Sequence, residues 1–121
     1  MKKIIALIII ISTFSCEEII NEQNIINNTI QLVAPTENVS LKTNEKIVFN
    51  WEALNGTTAY KLQIATPNFS NATQLLTDTL VQRTDFSIES LPINAYEWRV
   101  KGMNSAYETV FTTSGFMVES N

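Results

Sequence analysis

Few side chains in this 121-residue chain could do chemistry, because it contains no His and a single Cys. Catalytic triads and dyads that require a His are therefore excluded. Disulfides within the chain and zinc sites built from Cys and His are excluded for the same reason. We expect no bound metal and no other cofactor.

Paired carboxylates are the remaining route to hydrolysis. They need two acids about 5 to 10 Å apart, one of them with a pKa raised by burial. The candidates are Glu52, Asp78, Asp85, Glu89, Glu97 and Glu108. Most of these residues fall on outward strand positions or in loops, where water solvates a carboxylate. We therefore predict no catalytic residues and no enzymatic activity.

Cys16 follows a segment typical of an export signal. Lys2 and Lys3 precede an apolar run over residues 4–11, and small residues stand ahead of the cysteine. The run is about half of the roughly 20 residues that a bilayer span requires. We expect residues 1–15 to be a signal peptide that is removed.

The sequence Thr13-Phe14-Ser15-Cys16 resembles the lipobox of bacterial lipoproteins. In that family a signal peptidase cuts before the Cys, which is acylated on its sulfur and on its new amine. Ser15 fits the pattern, whereas Thr13 replaces the usual Leu, Val or Ile. The resemblance implies lipidation of Cys16, and several acyl chains anchor a protein durably because each buried methylene contributes about 0.8 kcal/mol. The alternative is a free thiol with no role.

Two acidic residues, Glu17 and Glu18, follow the cysteine. The chain is similar in its Asn, Thr and Ile richness to lipoproteins of the Bacteroidetes, in which acids at this place mark display on the outer surface. An ordinary solvated charge pair explains them equally well. We expect an exported outer-membrane lipoprotein, and both periplasmic and surface-exposed orientations stay open.

The net charge of the chain limits the classes of molecule that it can bind. Without residues 1–15 the chain keeps 6 basic and 12 acidic residues, a net charge of −6. Such a surface repels phosphate backbones, so no nucleic acid is expected. The expected partners are the membrane, through lipidated Cys16, and an envelope protein or a polysaccharide.

Residues 16–28 are predicted to be the lipidated Cys and a polar tether. Its two Ile pairs are spaced between the helical and the strand period, and its Asn and Gln side chains compete for backbone hydrogen bonds. A membrane-proximal helix is the alternative, provided that the four isoleucines share one face.

From residue 29 to residue 119 the apolar period becomes two, which is typical of strands with one buried face. The buried sets are Ile47, Phe49 and Trp51, then Tyr60, Leu62 and Ile64, then Tyr96, Trp98 and Val100. The positions between them, such as Lys61, Gln63 and Ala65, are predicted to be mostly wet. A single opening strand is expected over residues 30–41. The pattern predicts an all-β, seven-stranded antiparallel sandwich of the immunoglobulin-like kind.

Trp51, Tyr60 and the segment Leu91-Pro92 to Tyr96-Glu97-Trp98-Arg99-Val100 resemble the fibronectin type III domain, and the likeness covers residues 29–119. The resemblance implies a tyrosine corner, in which the Tyr96 hydroxyl bonds to the backbone just upstream. Asn94 stands near the place where the family commonly has Gly. Five residues are predicted to form the structural core: Trp51, Tyr60, Leu91, Tyr96 and Trp98.

Three residues outside that core are candidate sites. Tyr107, in the loop after Asn104, and Phe69, in the loop over residues 66–73, are candidate ligand contacts, although a side chain folded back on the sandwich explains Tyr107 equally well. The sequence Asp78-Thr79-Leu80 resembles a short O-glycosylation motif of the Bacteroidetes, which implies a glycan on Thr79.

The leading hypothesis is a non-catalytic, membrane-anchored envelope lipoprotein whose single domain serves as a binding or spacer module. The alternative is a glycan-binding accessory subunit of a polysaccharide-handling complex. A third possibility is a fragment or degenerate relative of a larger multidomain enzyme, in which such sandwiches usually act as spacers.

Overall fold

A computed structural model of the protein describes residues 22–121. The predicted signal peptide, Cys16, Glu17 and Glu18 lie outside the described residues. Within them the chain forms eight strands. They are β1 (Leu32–Ala34), β2 (Val39–Lys42), β3 (Ile47–Trp51), β4 (Ala59–Thr66), β5 (Gln74–Val81), β6 (Asp85–Ile88), β7 (Asn94–Met103) and β8 (Thr112–Glu119).

The strands build two sheets that pack face to face, so the fold is an all-β sandwich. One sheet has three strands in the order β1-β3-β6, and the other has five in the order β2-β8-β7-β4-β5. The long strands β4 and β7 pair antiparallel in the middle of the larger sheet, with Leu62 opposite Val100.

The opening segment corrects two of our predictions. Instead of one strand it forms β1, which pairs antiparallel with β3, and β2, which pairs parallel with β8 in the other sheet. The break falls at Pro35, which has no N–H to donate to a sheet ladder. The sandwich therefore has eight strands rather than seven, and one of its pairings is parallel.

Aromatic rings from the two sheets meet in the core. Phe49 of β3 lies edge-on to Trp98 of β7, with ring centroids 5.1 Å apart. Trp51 lies edge-on to Tyr60 at 5.7 Å. Such pairs contribute about 0.5–1.5 kcal/mol beyond the burial of their area. The alternation in β3 and β7 places these rings on the inner faces, as the sequence predicts.

Three described residues have a left-handed backbone, and each lies where the chain turns. Gly56 has a φ of 88° in the loop between β3 and β4, while Asn38 and Asn44 have φ values of 63° and 65° on either side of β2. Asn tolerates this region better than most residues. Asn94 does not have a left-handed backbone. It is the first residue of strand β7.

The outer face of β4 is less exposed to solvent than we predicted. Gln63, Ala65 and Thr66 are all buried, although the alternation pattern assigns the first two to the wet face. Two features explain the difference. β4 has a neighbour on each side, and a loop residue, Phe69, folds over the face beside it.

The described end of the segment predicted to be a tether contacts the sandwich. Residues 22–28 form a turn and irregular backbone, and Ile25 is fully buried. The side chain of Gln23 lies so close to Gly56 that a Cβ at Gly56 would be 2.9 Å from the Gln23 Cβ. No helix within residues 22–121 is long and apolar enough to cross a membrane.

Candidate functional site

The strand register defines two ends of the sandwich. Ala59 pairs with Met103 at one end, and Ala65 pairs with Glu97 toward the other. We call the first end the N-terminal pole (residues 22–31, 52–58, 82–84 and 104–110) and the second the far pole (residues 43–46, 67–73 and 89–93).

At the far pole the corner before β7 is fixed by a tyrosine. The Tyr96 hydroxyl donates to Pro92 O at 2.7 Å, which is the bond that the tyrosine corner implies. Burial raises the pKa of the Tyr96 phenol above its ordinary value, so the hydroxyl stays a donor. Leu91 is buried beneath the same corner, and Thr43 donates to its carbonyl at 2.9 Å. These residues hold the fold together.

On the outer face of the larger sheet, Arg99 lies between two phenylalanine rings. Its guanidinium carbon is 4.0 Å from the ring centroid of Phe69 and 4.2 Å from that of Phe111. Its Nε donates to Gln63 Oε1 at 2.7 Å. We call Gln63, Phe69, Arg99 and Phe111 the arginine cluster. It combines aromatic surface with a cation held within cation–π distance of both rings.

Two ion pairs lie beside the arginine cluster. Lys61 Nζ lies 3.3 Å from Asp78 Oδ1, and Lys101 Nζ lies 2.9 Å from Glu108 Oε1. A hydrogen bond from Gln63, followed by one from Lys61 and its charge, lowers the pKa of the Asp78 carboxyl. Lys61 and Asp78 thus form a pair of opposite charges on the neighbouring strands β4 and β5, whereas Arg99 contacts Gln63 and the two rings instead of a carboxylate.

The N-terminal pole is organised by Asn104. Its Nδ2 donates to Gln23 O at 2.9 Å and to Gly56 O at 2.8 Å, while its Oδ1 accepts from the N–H groups of Ala106 and Tyr107. One amide thus joins the N-terminal segment, the β3–β4 loop and its own loop. Tyr107 is half-buried, and its carbonyl accepts from Asn104 N at 2.9 Å.

Searches among solved structures match this sandwich. The fn3 domain of human collagen alpha-1(XX) chain is 17% identical, with a TM-score of 0.56 over 77% of this chain and 83% of its own. FN3tt is 11% identical, with a TM-score of 0.54 over 76% and 97%. A fibronectin(III)-like module of Clostridium thermocellum CbhA is 13% identical, with a TM-score of 0.52 over 74% and 94%. The fold is that of a fibronectin type III domain. No protein-family model matches the sequence, and no curated protein is significantly similar to it.

The fibronectin type III fold accounts for the predicted core. All five residues assigned to it are buried, with at most 4% of any side chain exposed. They are Trp51, Tyr60, Leu91, Tyr96 and Trp98. Their aromatic and apolar surface is buried between the two sheets and is not available to a ligand.

The candidate carboxylates do not form a hydrolytic pair. Asp78 and Glu108 are in ion pairs with lysines, and Glu97 Oε1 accepts from Phe69 N at 2.9 Å. The pKa of Asp78 shifts downward, opposite to the direction that a general acid needs. Glu52 and Glu89 are exposed, and Asp85 pairs with Arg83 at 2.7 Å. Within residues 22–121 no three His, Cys, Asp or Glu side chains lie close enough together to hold a metal ion.

Thr79 lies on β5, an edge strand of the larger sheet. It is opposite Leu62, so its side chain faces the space between the sheets and is half-buried. Its neighbours Asp78 and Leu80 take the exposed outer positions. A glycan on Thr79 would have to leave through the open edge beside β5.

Two residues that matter here, Phe111 and Asn104, were missed from the sequence. Phe111 precedes β8 and gives no strand signal of its own, and its role depends on Arg99 lying on the adjacent strand. Asn104 carried a usable signal, because an Asn that begins a loop often bonds to the backbone two or three residues ahead. Its bonds to Gln23 and Gly56 had no local signal at all.

Proposed function

We propose that this protein is a non-catalytic lipoprotein of the cell envelope, anchored through Cys16, whose single fibronectin type III-like domain serves as a binding or spacer module. The observation that carries the proposal is that the conspicuous aromatic and charged side chains of the domain already have structural roles. Its large aromatic residues pack the core, and two lysines on its outer face, Lys61 and Lys101, are in ion pairs. What is left is surface for contact rather than a reaction centre.

The anchor rests on the lipobox-like segment ending at Cys16. We expect Cys16→Ser to leave an uncleaved or soluble form that no longer partitions into detergent. Ser15→Ala, which keeps a small residue before the cysteine, is the matched control and should behave like the parent. If Cys16→Ser partitions with membranes as the parent does, the lipoprotein proposal is wrong.

Orientation is tested on whole cells. Glu17 and Glu18 directly follow the proposed lipidated cysteine and support display on the outer surface. Protease added to intact cells should then degrade the domain. Degradation only after the outer membrane has been opened would place the domain in the periplasm.

The arginine cluster supports a second candidate function, binding of a glycan by an accessory subunit of a polysaccharide-handling complex. Phe69 and Phe111 are half-buried, so part of each ring stays accessible on the outer face. Aromatic rings beside polar side chains are a common way to hold sugars, which present both flat apolar faces and hydroxyls.

Affinity electrophoresis against a panel of polysaccharides tests that second function. A binding domain should be retarded by at least one polysaccharide, and Phe111→Ala should abolish the retardation. Val110→Ala is the matched control, because Val110 is the exposed neighbour and lies outside the arginine cluster. Free migration of the parent in every gel would remove the glycan function.

A further inference from the structure

The N-terminal segment of the described chain is fastened to one end of the sandwich. Gln23 O accepts from Asn104 Nδ2, and Glu22 Oε1 accepts from the Ser105 hydroxyl at 2.6 Å. The chain therefore leaves the domain at the N-terminal pole, beside the loop that carries Tyr107, and not from the middle of a sheet.

The distance from that point to Cys16 is limited by the covalent chain. Six Cα–Cα steps separate Cys16 from Glu22. Because an extended chain spans at most about 3.6 Å per residue, the Cα of Glu22 lies no more than about 22 Å from the Cα of Cys16.

The sandwich is longer than this reach. Strand β7 has 10 residues and runs between the two poles. At about 3.3 Å per residue it is roughly 33 Å long. A protein anchored at Cys16 must therefore keep its N-terminal pole near the membrane, while its far pole is free to stand well away from it.

We propose that the N-terminal pole is a membrane-facing surface, held against the lipid headgroup layer by the short segment after Cys16. This inference rests on the lipid anchor in the proposed function. It means that Tyr107 faces the narrow space next to the membrane. A large envelope partner reaches the far pole and the arginine cluster instead.

The side chains of this pole suit a hydrated headgroup layer without being attracted to anionic lipid. Its four segments contain one basic residue, Arg83, whose Nε lies 2.7 Å from Asp85 Oδ1. Most of its exposed side chains are uncharged and polar, among them Asn24, Asn27, Asn28, Thr29, Asn55 and Ser105. The acidic Glu52 and Glu108 and the apolar Ile26 and Val110 are exposed there as well. Attraction of basic residues to anionic lipid is therefore not what holds the pole in place. The short segment after Cys16 holds the pole in place instead. The distance between the pole and the membrane should therefore not depend on salt concentration.

Two exposed alanines make a matched pair for the test. Ala106 lies at the N-terminal pole and Ala72 at the far pole. Ala106→Cys and Ala72→Cys each add one thiol to the full chain, which is purified from membranes and labelled with a fluorescent donor. Each is then reconstituted in phosphatidylcholine vesicles that carry an acceptor dye on their headgroups.

We expect strong energy transfer from position 106 and several-fold weaker transfer from position 72, at low and at high salt alike. A flexible Gly-Ser insert between Asn21 and Glu22 should weaken transfer from position 106. Equal transfer from both positions, or an insert without effect, would overturn the inference.

The parent chain separates this outcome from failure of the anchor. If Cys16 is acylated, the parent takes up no thiol label and floats with the vesicles. If the parent takes up the thiol label and does not float with the vesicles, both the lipid anchor and the membrane-facing pole are overturned. A parent that floats unlabelled, with equal transfer from the two introduced thiols, overturns the orientation alone.

Discussion

Asn104 donates a hydrogen bond from its side-chain Nδ2 to the backbone oxygen of Gln23, at 2.9 Å. The two residues are far apart in sequence, and the bond fixes where the chain enters the domain. The same amide group bonds to Gly56, so the β3–β4 loop is held by it as well.

Replacing this amide should loosen the N-terminal pole. We expect Asn104→Ala to lower the free energy of unfolding by about 1–3 kcal/mol, since it leaves partly buried backbone groups without their partner. Hydrogen exchange should accelerate at residues 22–25 and 104–107. The control is Asn71→Ala, at an exposed position in the far-pole loop, and equal exchange rates in the two variants would contradict the role assigned to Asn104.

The tyrosine corner gives a second prediction. Tyr96→Phe removes the bond to Pro92 O and leaves the buried ring in place, so it should cost about 0.5–1.5 kcal/mol in urea unfolding without a change in m-value. Tyr107→Phe is the matched control, and it should have little effect because the Tyr107 side chain is only half-buried. A larger loss for Tyr107→Phe would reverse the roles of the two tyrosines.

Truncation of either core tryptophan should destabilise the domain strongly. Trp98→Ala and Trp51→Ala should each cost about 3–5 kcal/mol through lost burial and a cavity. In a domain with a total stability of about 5–15 kcal/mol, that loss approaches unfolding.

Substitution by Phe separates the two tryptophans, because it removes the indole N–H as well as part of the ring. Trp98 Nε1 donates to Pro35 O at 3.4 Å, whereas Trp51 Nε1 is buried with no protein partner. Trp98→Phe should therefore destabilise the domain more than Trp51→Phe does. Val110→Ala, at an exposed position, should leave the unfolding midpoint unchanged.

Acid should remove the contribution of the Asp78 carboxylate to the free energy of unfolding. The pKa of Asp78 is lowered in the folded state by the hydrogen bond from Gln63 and by Lys61. The unfolded chain therefore holds the Asp78 proton more tightly than the folded one. The contribution is fully present above the ordinary pKa of 3.8 and is lost as the pH falls through the lower folded value.

Asp78→Asn should consequently flatten the acid side of the stability curve. The measurement is the free energy of unfolding in urea as a function of pH. Glu89→Gln, at an exposed position outside these pairs, is the control and should follow the parent. If Asp78→Asn and the parent lose stability in parallel below the ordinary Asp pKa, the ion pair does not contribute.

Much of the fold could be predicted from the sequence because its signals are local. The alternation in β3 and β7 places Phe49 and Trp98 inward, since successive side chains of a strand point to opposite faces. The turn at Asn55-Gly56 is local too. The spacing of Trp51, Tyr60 and Tyr96 gave the family likeness.

Other features could not be predicted because they depend on which strands become neighbours. The switch of the chain between sheets at Pro35 requires both β3 and β8 as pairing partners. The burial of Gln63 requires that Arg99 lie beside it and that Phe69 fold over from its loop. Phe69 was predicted as a ligand contact, whereas one face of its ring is covered by Arg99.

By itself, the sequence determined the kind of strands and the inward-facing aromatic residues of the core, because each follows from residues close together in the chain. The tertiary structure alone decided the arginine cluster and the attachment of Gln23 to Asn104. Both form between segments distant in sequence, and only the pairing of strands and the folding of loops bring those segments within hydrogen-bonding or stacking distance.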